Sequence, residues 1–357
     1  MVATSSPMCS SAFGPEDESK VVKSKVVKSG IAAIFDFTTA DFTALALMTC
    51  DQKTMKHFLN IIDLTSDELQ HLLTEAVRLK HAHARRIPAH TLSGRVVGLV
   101  FEKPSLRTRV SFESGVAQLG GTALYLPGNE VGLGWRESLA DFARTVSQFV
   151  DALVLRVYRH ETLDGLAIHS SIPIINGLSD WSHPCQALAD LLTVRELFDG
   201  ERGRTMAFVG DGNNVARSLA VACGRLGVNF ILSCPVGYGF DEKFKSQYCK
   251  RVSEEFPKEV NDPFIAVKNA DVVYTDVWTS MGQEAEREER LRRFASFQVN
   301  AKLLSAAPSH CKVLHCLPAH RGEEITDDVM DGPACAAFQQ AGNRMHAQKA
   351  VLEWLLK

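Results

Sequence analysis

From His57 onward, short apolar runs alternate with stretches whose apolar residues recur at helical spacing. The runs fall at 96–101, 122–126, 152–157 and 173–175, and then at 205–209, 230–232, 272–274 and 312–314. Thr65-x-x-Glu68 reads as a capping box, and Leu69, Leu72, Leu73, Ala76 and Val77 follow it at helical intervals. Short strands separated by amphipathic segments predict parallel sheets with helices on both faces. A longer helix is expected from Pro184, with Leu188, Leu191 and Leu192 on one face and proline suited to its first turn. It lies near the middle of this region and reads as a bridge. The expected fold class is therefore α/β, with two doubly wound parallel-sheet domains joined by interdomain helices. In such sheets ligands gather beyond the carboxyl ends of the strands, so the residues just after each run are the candidates for chemistry.

Residues 1–55 do not share this pattern. They hold a Ser/Pro/Gly stretch, the acidic cluster Glu16, Asp17 and Glu18, and a duplicated Lys-Val-Val-Lys-Ser at 20–24 and 25–29. Residues 1–54 contain no arginine and six acidic residues, unlike an arginine-rich, acid-poor transit peptide. The segment reads as a poorly ordered extension, or as translation begun upstream of a start at Met48 or Met55. The alternative is an organelle address. Without it, 302 of the 357 residues remain, enough for two domains of about 150 each. The expected boundaries are 56–186, joined by a returning C-terminal helix at 338–357, and 187–337.

Composition narrows the function. A net charge of −3 supplies no bulk basic field for nucleic acid or an anionic membrane. Nine cysteines without a C-x-x-C pair fit a reducing compartment better than a disulfide framework. No stretch approaches the roughly 18 apolar residues of a membrane span. The expectation is a cytoplasmic protein, or one of an organelle matrix if 1–55 is a targeting segment.

The residues after the runs carry anion-binding and polar groups. Ser105-Leu106-Arg107-Thr108 opens a helix after the first run; free N–H groups, two hydroxyls and a guanidinium fork suit an anion there. Arg156 closes an apolar strand and needs an anionic partner or a solvent opening. His183 and Gln186 stand three apart at the start of the bridging helix, so one helical face is expected to carry both. Gly210-Asp211-Gly212-Asn213-Asn214 resembles a dinucleotide loop, but Val215 occupies the third glycine position and Ser233-Cys234-Pro235 lies where a ribose-binding acid belongs. What remains is a tight turn presenting Asn213 or Asn214 at a helix start. Asp276 precedes a loop with Ser280 and Met281, suited to an ammonium and a slender chain. His315-Cys316-Leu317-Pro318 closes the last strand. The His/Cys spacing there fits no zinc pattern, and no metal is expected.

Ser-x-Arg-Thr-Arg, His-Pro-x-Gln, Asp-x-x-x-Ser-Met-Gly and His-Cys-Leu-Pro, in this order from His57 to the C-terminus, resemble the carbamoyltransferases, and among them the ornithine carbamoyltransferase family. Aspartate carbamoyltransferases resemble the first half equally, but have Pro-Leu-Pro at the last strand and no Ser-Met-Gly loop. The resemblance implies that Ser105, the Leu106 N–H, Arg107, Thr108 and Arg156 hold phosphate. It implies that His183, Gln186, Arg344 and the backbone of Cys316 and Leu317 engage the carbamoyl group and the remaining phosphate oxygens. Asn214, Asp276, Ser280 and Met281 would hold ornithine, and Arg107, His183, Asp276 and Cys316 would be the catalytic set. It further implies citrulline formation in arginine biosynthesis, no cofactor, and a homotrimer or multiple of trimers. A neighbouring subunit would reach into the loop after Tyr125, where Trp135 departs from the family pattern by its bulk. A non-catalytic descendant of the same fold is the alternative function.

Overall fold

The structure, a computed structural model, describes residues 55–279 and 284–357. Ser280 and Met281 lie outside the described residues, as does most of the N-terminal extension.

Two parallel sheets form the frame. The first has the order β2 (Thr122–Pro127), β1 (Val96–Phe101), β3 (Ala152–Arg156), β4 (Ile174–Leu178). The second has the order β7 (Lys258–Val260), β6 (Asn229–Ser233), β5 (Thr205–Val209), β8 (Val272–Thr275), β9 (Lys312–His315). The pairings are all parallel. Inner strands such as β3 and β8 are buried at every position, as unbroken apolar runs require when helices cover both faces. The apolar-run pattern finds eight strands and misses β7, whose Lys-Glu-Val is short, polar and confined to the sheet edge.

Each sheet begins with the same device. Asp151, just before β3, accepts from the Val96 N–H at 2.8 Å and from Arg95 Nη1 at 2.6 Å. Asp271, just before β8, accepts from the Thr205 N–H at 2.8 Å and from Arg204 Nη1 at 3.3 Å. An acidic residue thus locks the start of the first strand to the start of its neighbour in both halves.

Five helices matter for the site. α1 (Ser66–Ala84) opens with the expected capping box, in which the Glu68 N–H donates to Thr65 Oγ1 and the Thr65 N–H to Glu68 Oε2. α2 (Leu106–Gln118) follows β1 with Ser105 as its N-cap, and α4 (Asn214–Leu226) follows β5 with Asn213 as its N-cap. α3 (Pro184–Phe198) is buried over almost its whole length, and α5 (Ala337–Leu356) returns from the end of the chain to pack on α1, α2 and α3. α3 also packs on α4, so it bridges the two sheets' helical layers as its position suggested. His183, however, is the N-cap of α3 with non-helical backbone (φ −130°, ψ 68°), not a member of a helical face shared with Gln186. Proline at the first helical position sets this boundary one residue later than the spacing implied.

In the first sheet the strand order reverses direction between β1 and β3, and in the second between β5 and β8. These are the topological switch points, where crevices open beyond the strand ends.

Candidate active site

Both switch points line one cavity of about 860 Å³. The first sheet contributes Ser105, Leu106 and Arg107 after β1 and Arg156 at the end of β3; the second contributes Asn213 and Asn214 after β5 and Asp276 after β8. His183, Cys316, Leu317 and Arg344 also line it.

The β1 side is built for an anion. Ser105 Oγ accepts from the Thr108 N–H at 3.4 Å and lies 3.0 Å from Thr108 Oγ1, which leaves the first amides of α2 directed at the cavity. Thr108 is fully buried and stands behind the wall, where Arg344 Nη2 donates to its hydroxyl at 2.6 Å. Arg156 and Arg344 are themselves buried, and the Nε of each meets no hydrogen-bond partner among the described residues. Burial lowers both guanidiniums from their ordinary range, and burial together with the positive charge of Arg344 brings Arg156 to about 10. Both nonetheless stay charged at neutral pH. Neither forms a salt bridge among the described residues, although Asp190 acts on Arg344 from a greater distance, and two buried cations so placed are costly unless an anion joins them.

His183 sits beside them. Burial, then the charges of Arg344 and Arg156, hold its imidazole well below the ordinary histidine value, so it is neutral at pH 7. Its Nδ1 is buried and meets no partner among the described residues, while its backbone N–H donates to Ser218 Oγ of α4 at 2.8 Å. A link across the two halves therefore fixes where this ring stands. Gln186, one turn further on, is buried and stands outside the ring of residues that line the cavity.

The β8 side is a carboxylate–thiol pair. Cys316 Sγ donates to Asp276 Oδ1 at 2.8 Å, and Asn213 Nδ2 donates to Asp276 Oδ2 at 2.9 Å. Burial, and then the Asp276 carboxylate, push the Cys316 thiol well above its ordinary value. The sulfur is a neutral donor, not a thiolate. Asn214 Nδ2 crosses to the Ser179 carbonyl at 2.6 Å. The turn before it needs glycine, because a Cβ on Gly212 would lie 2.8 Å from the carbonyl carbon of Gly239.

The last strand ends in a held turn. Leu317 adopts φ 57°, and its N–H donates to His315 Nδ1 at 2.9 Å. His315 Nε2 in turn meets Glu324 Oε1 at 3.0 Å with both side chains fully buried. This pair sets the direction of the Cys316 side chain and the Leu317 backbone. His320, Glu323 and Glu324 lie close enough for a cation, but Glu324 Oε1 also accepts the His320 N–H at 2.6 Å, and Glu323 pairs with Arg287.

Sequence reasoning missed several wall residues. Lys103 lies over the Tyr158 ring at 4.5 Å, and Arg290 joins Asp211 at 2.6 Å to the Trp278 carbonyl at 3.1 Å. Asp211 stood in the glycine turn and was visible as a strand-end residue. Arg290 lies in a charged helical run with no distinguishing signal.

An anion cradle at one switch point facing a carboxylate–thiol pair at the other suits a transferase that moves a group from a phosphorylated donor to an amine. Comparison agrees. Residues 56–196 match the carbamoyl-P binding domain of aspartate/ornithine carbamoyltransferase, and residues 202–355 match its Asp/Orn binding domain. The chain belongs to the aspartate/ornithine carbamoyltransferase family. It is 48% identical over 304 residues to the ornithine carbamoyltransferase of Anoxybacillus flavithermus, covering 84% of this chain and 96% of that one. The solved ornithine carbamoyltransferase from Pyrococcus furiosus matches with a TM-score of 0.80 at 47% identity, covering 83% of this chain and 96% of that chain. The anabolic ornithine carbamoyltransferase of Campylobacter jejuni matches with a TM-score of 0.79 at 36% identity, covering 84% and 99%. Within its family the chain is thus a carbamoyltransferase of the ornithine branch.

Proposed function

We propose that the chain transfers the carbamoyl group of carbamoyl phosphate to the δ-amine of L-ornithine, giving L-citrulline and phosphate in arginine biosynthesis. The observation that carries this reading is the pairing of two buried guanidiniums, Arg156 and Arg344, whose Nε atoms lack partners among the described residues, with the Asp276–Cys316 hydrogen bond in one cavity. Residues 56–186 with the helix at 338–357 form the carbamoyl-phosphate half, and 187–337 the ornithine half.

Ser105, the Leu106 N–H, Arg107, Arg156 and Arg344 take the phosphate, whose negative charge offsets the repulsion among the arginines, and Thr108, expected from the sequence to touch it, braces Arg344 from behind the wall. His183, as a neutral imidazole, is suited to hydrogen-bond the carbonyl oxygen on which negative charge develops. Gln186 and the Cys316–Leu317 backbone hold the rest of the carbamoyl group. Asn214 and Asp276 orient ornithine, with Ser280 and Met281 expected beside them. The δ-amine must lose a proton before it attacks, which at an ordinary pKa near 10.4 costs about 4–5 kcal/mol at pH 7. Asp276, steadied by Asn213 and Cys316, is placed to accept it. The amine then forms a C–N bond, and as the oxyanion collapses the C–O bond to phosphate breaks with its electron pair leaving on phosphate, which takes the remaining proton from the attacking nitrogen and departs as hydrogen phosphate. Because the thiol is neutral and donates to Asp276, it serves as a positioning donor and not as a covalent carrier. Donor and acceptor supply everything the reaction needs, so no cofactor enters the scheme.

The cytoplasm and a homotrimer, or a multiple of it, complete the reading. Exposed Leu106, Val110, Leu124 and Trp135 give apolar surface beside the cavity for a neighbouring subunit to cover. Citrulline production from carbamoyl phosphate, with ornithine, acetylornithine, putrescine and aspartate offered in parallel, tests the substrate. Preference for any amine other than ornithine overturns it.

A further inference from the structure

A chain of hydrogen bonds runs from the backbone of the last strand to a single side-chain oxygen near the cavity. The His315 N–H, which can only donate, bonds Gln340 Oε1 at 2.9 Å. The Gln340 amide is thereby oriented, and its Nε2 donates to Asp190 Oδ1 at 2.6 Å and to the Tyr274 hydroxyl at 3.1 Å. Asp190 Oδ1 also accepts from Gln186 Nε2 at 2.8 Å. Each link is buried, and each amide is fixed by the one before it. The consequence falls on Gln186: its nitrogen is committed to Asp190, so its other end must be oxygen. That Oε1 is buried and has no partner among the described residues. A buried acceptor without a donor is rare in folded proteins and marks a place where a donor arrives.

We propose that Asp190 is a positioning residue that holds the Gln186 amide oxygen-first toward the ligand, and so selects carbamoyl phosphate, which carries an N–H₂ group, over acyl phosphates of the same shape that carry a methyl group. The inference rests on the reading of Gln186 as a carbamoyl contact. Asp190 does not touch the ligand. Burial lifts its carboxyl to about 7 against the hydrogen bonds from Gln186 and Gln340 that lower it, so the feature that matters is an oxygen acceptor and not a fixed charge. Asparagine meets that need, since two donors, Gln186 Nε2 and Gln340 Nε2, converge on Oδ1 and would orient its amide oxygen toward them. Leucine fills the same space and offers no acceptor.

The test compares three ligands: carbamoyl phosphate as substrate, and acetyl phosphate and inorganic phosphate as competitive inhibitors. Asp190→Leu should raise the KM for carbamoyl phosphate about tenfold, the order expected when a buried group loses its hydrogen-bond partner. The inhibition constants for acetyl phosphate and inorganic phosphate should stay within about twofold, so discrimination falls by about the same tenfold factor. Asp190→Asn should keep the discrimination of the wild type. Equal loss of affinity for all three ligands in Asp190→Leu reduces Asp190 to a structural support and overturns the proposal. So does collapse of discrimination in Asp190→Asn, which decides the matter even where the leucine variant does not fold. Gln186→Ala separates the two levels of the argument. If it leaves discrimination intact, the reading of Gln186 fails and the proposal with it. If it abolishes discrimination while Asp190→Leu preserves it, only the role of Asp190 is lost.

Discussion

Replacing Arg344 by methionine should move stability and activity in opposite senses. The guanidinium is almost fully buried on α5, makes one hydrogen bond, to Thr108 Oγ1 at 2.6 Å, and faces the cationic Arg156. Losing the hydrogen bond costs about 1 kcal/mol, and Thr108 keeps Ser105 as a partner. Against that loss stand the removal of a buried cation and of its repulsion with Arg156, since well-packed apolar replacements of buried charges are often neutral or stabilising by about 1–4 kcal/mol. The ligand-free variant should therefore unfold within a few degrees of the wild type, or above it. A phosphate held by a guanidinium fork gains two charge-assisted bonds of about 1.5–3 kcal/mol each, so kcat/KM for carbamoyl phosphate should fall about 10²- to 10⁴-fold. Thermal unfolding with and without inorganic phosphate reads both effects. At a hundredfold excess over Kd the wild type should gain about 2.7 kcal/mol from the ligand, and the variant should gain almost nothing at that concentration. A ligand-free variant destabilised by about 3 kcal/mol or more, with the phosphate response intact, would refute the account of Arg344 as an anion ligand held at the expense of stability.

Asp276→Asn removes the proton acceptor and leaves one oxygen where Asn213 and Cys316 each had their own, so kcat should drop by about 10²–10⁴ with carbamoyl-phosphate affinity preserved; a pH–rate profile and both KM values check it. Cys316→Ala should raise the KM for ornithine without trapping or losing any covalent carbamoyl species, as mass spectrometry during turnover would show; near-full turnover with unchanged ornithine affinity would remove Cys316 from the scheme. Burial, with help from Lys349, Lys80 and His83, lowers His346 to about 4. The unfolded chain then binds this proton at a higher pH than the native one, so stability is complete above about pH 6.5 and falls as the pH drops toward 4, by about 3 kcal/mol at the lower limit. His346→Met should flatten that part of the denaturation profile.

The strands of both sheets were legible because buried parallel strands have to be unbroken apolar runs. β7 was not, because an edge strand needs no such run. The residues after the strands were legible as chemistry for a related reason: strand ends at a switch point face a crevice. Local spacing failed at His183, where Pro184 starts the helix and leaves the histidine outside it. It also gave no sign that Gln340 joins Asp190, a contact between residues 150 positions apart. Nor did local pattern place Arg344 at the phosphate side, because nothing in α5 itself announces an anion. That assignment came from resemblance, and the bond to Thr108 supplies its geometry.

The return of α5 has a consequence for the order in which the enzyme comes into being. The proposed phosphate side opens with Ser105, yet Arg344, one of its arginines, lies beyond the whole of the second sheet in the chain. On the ribosome, the first half can complete β1 to β4 while its anion cradle still lacks Arg344 and Thr108 lacks that donor. A message truncated between β9 and that helix yields a chain with both sheets and no finished site. Catalytic competence therefore waits for α5, which makes that helix a checkpoint that both halves have been translated.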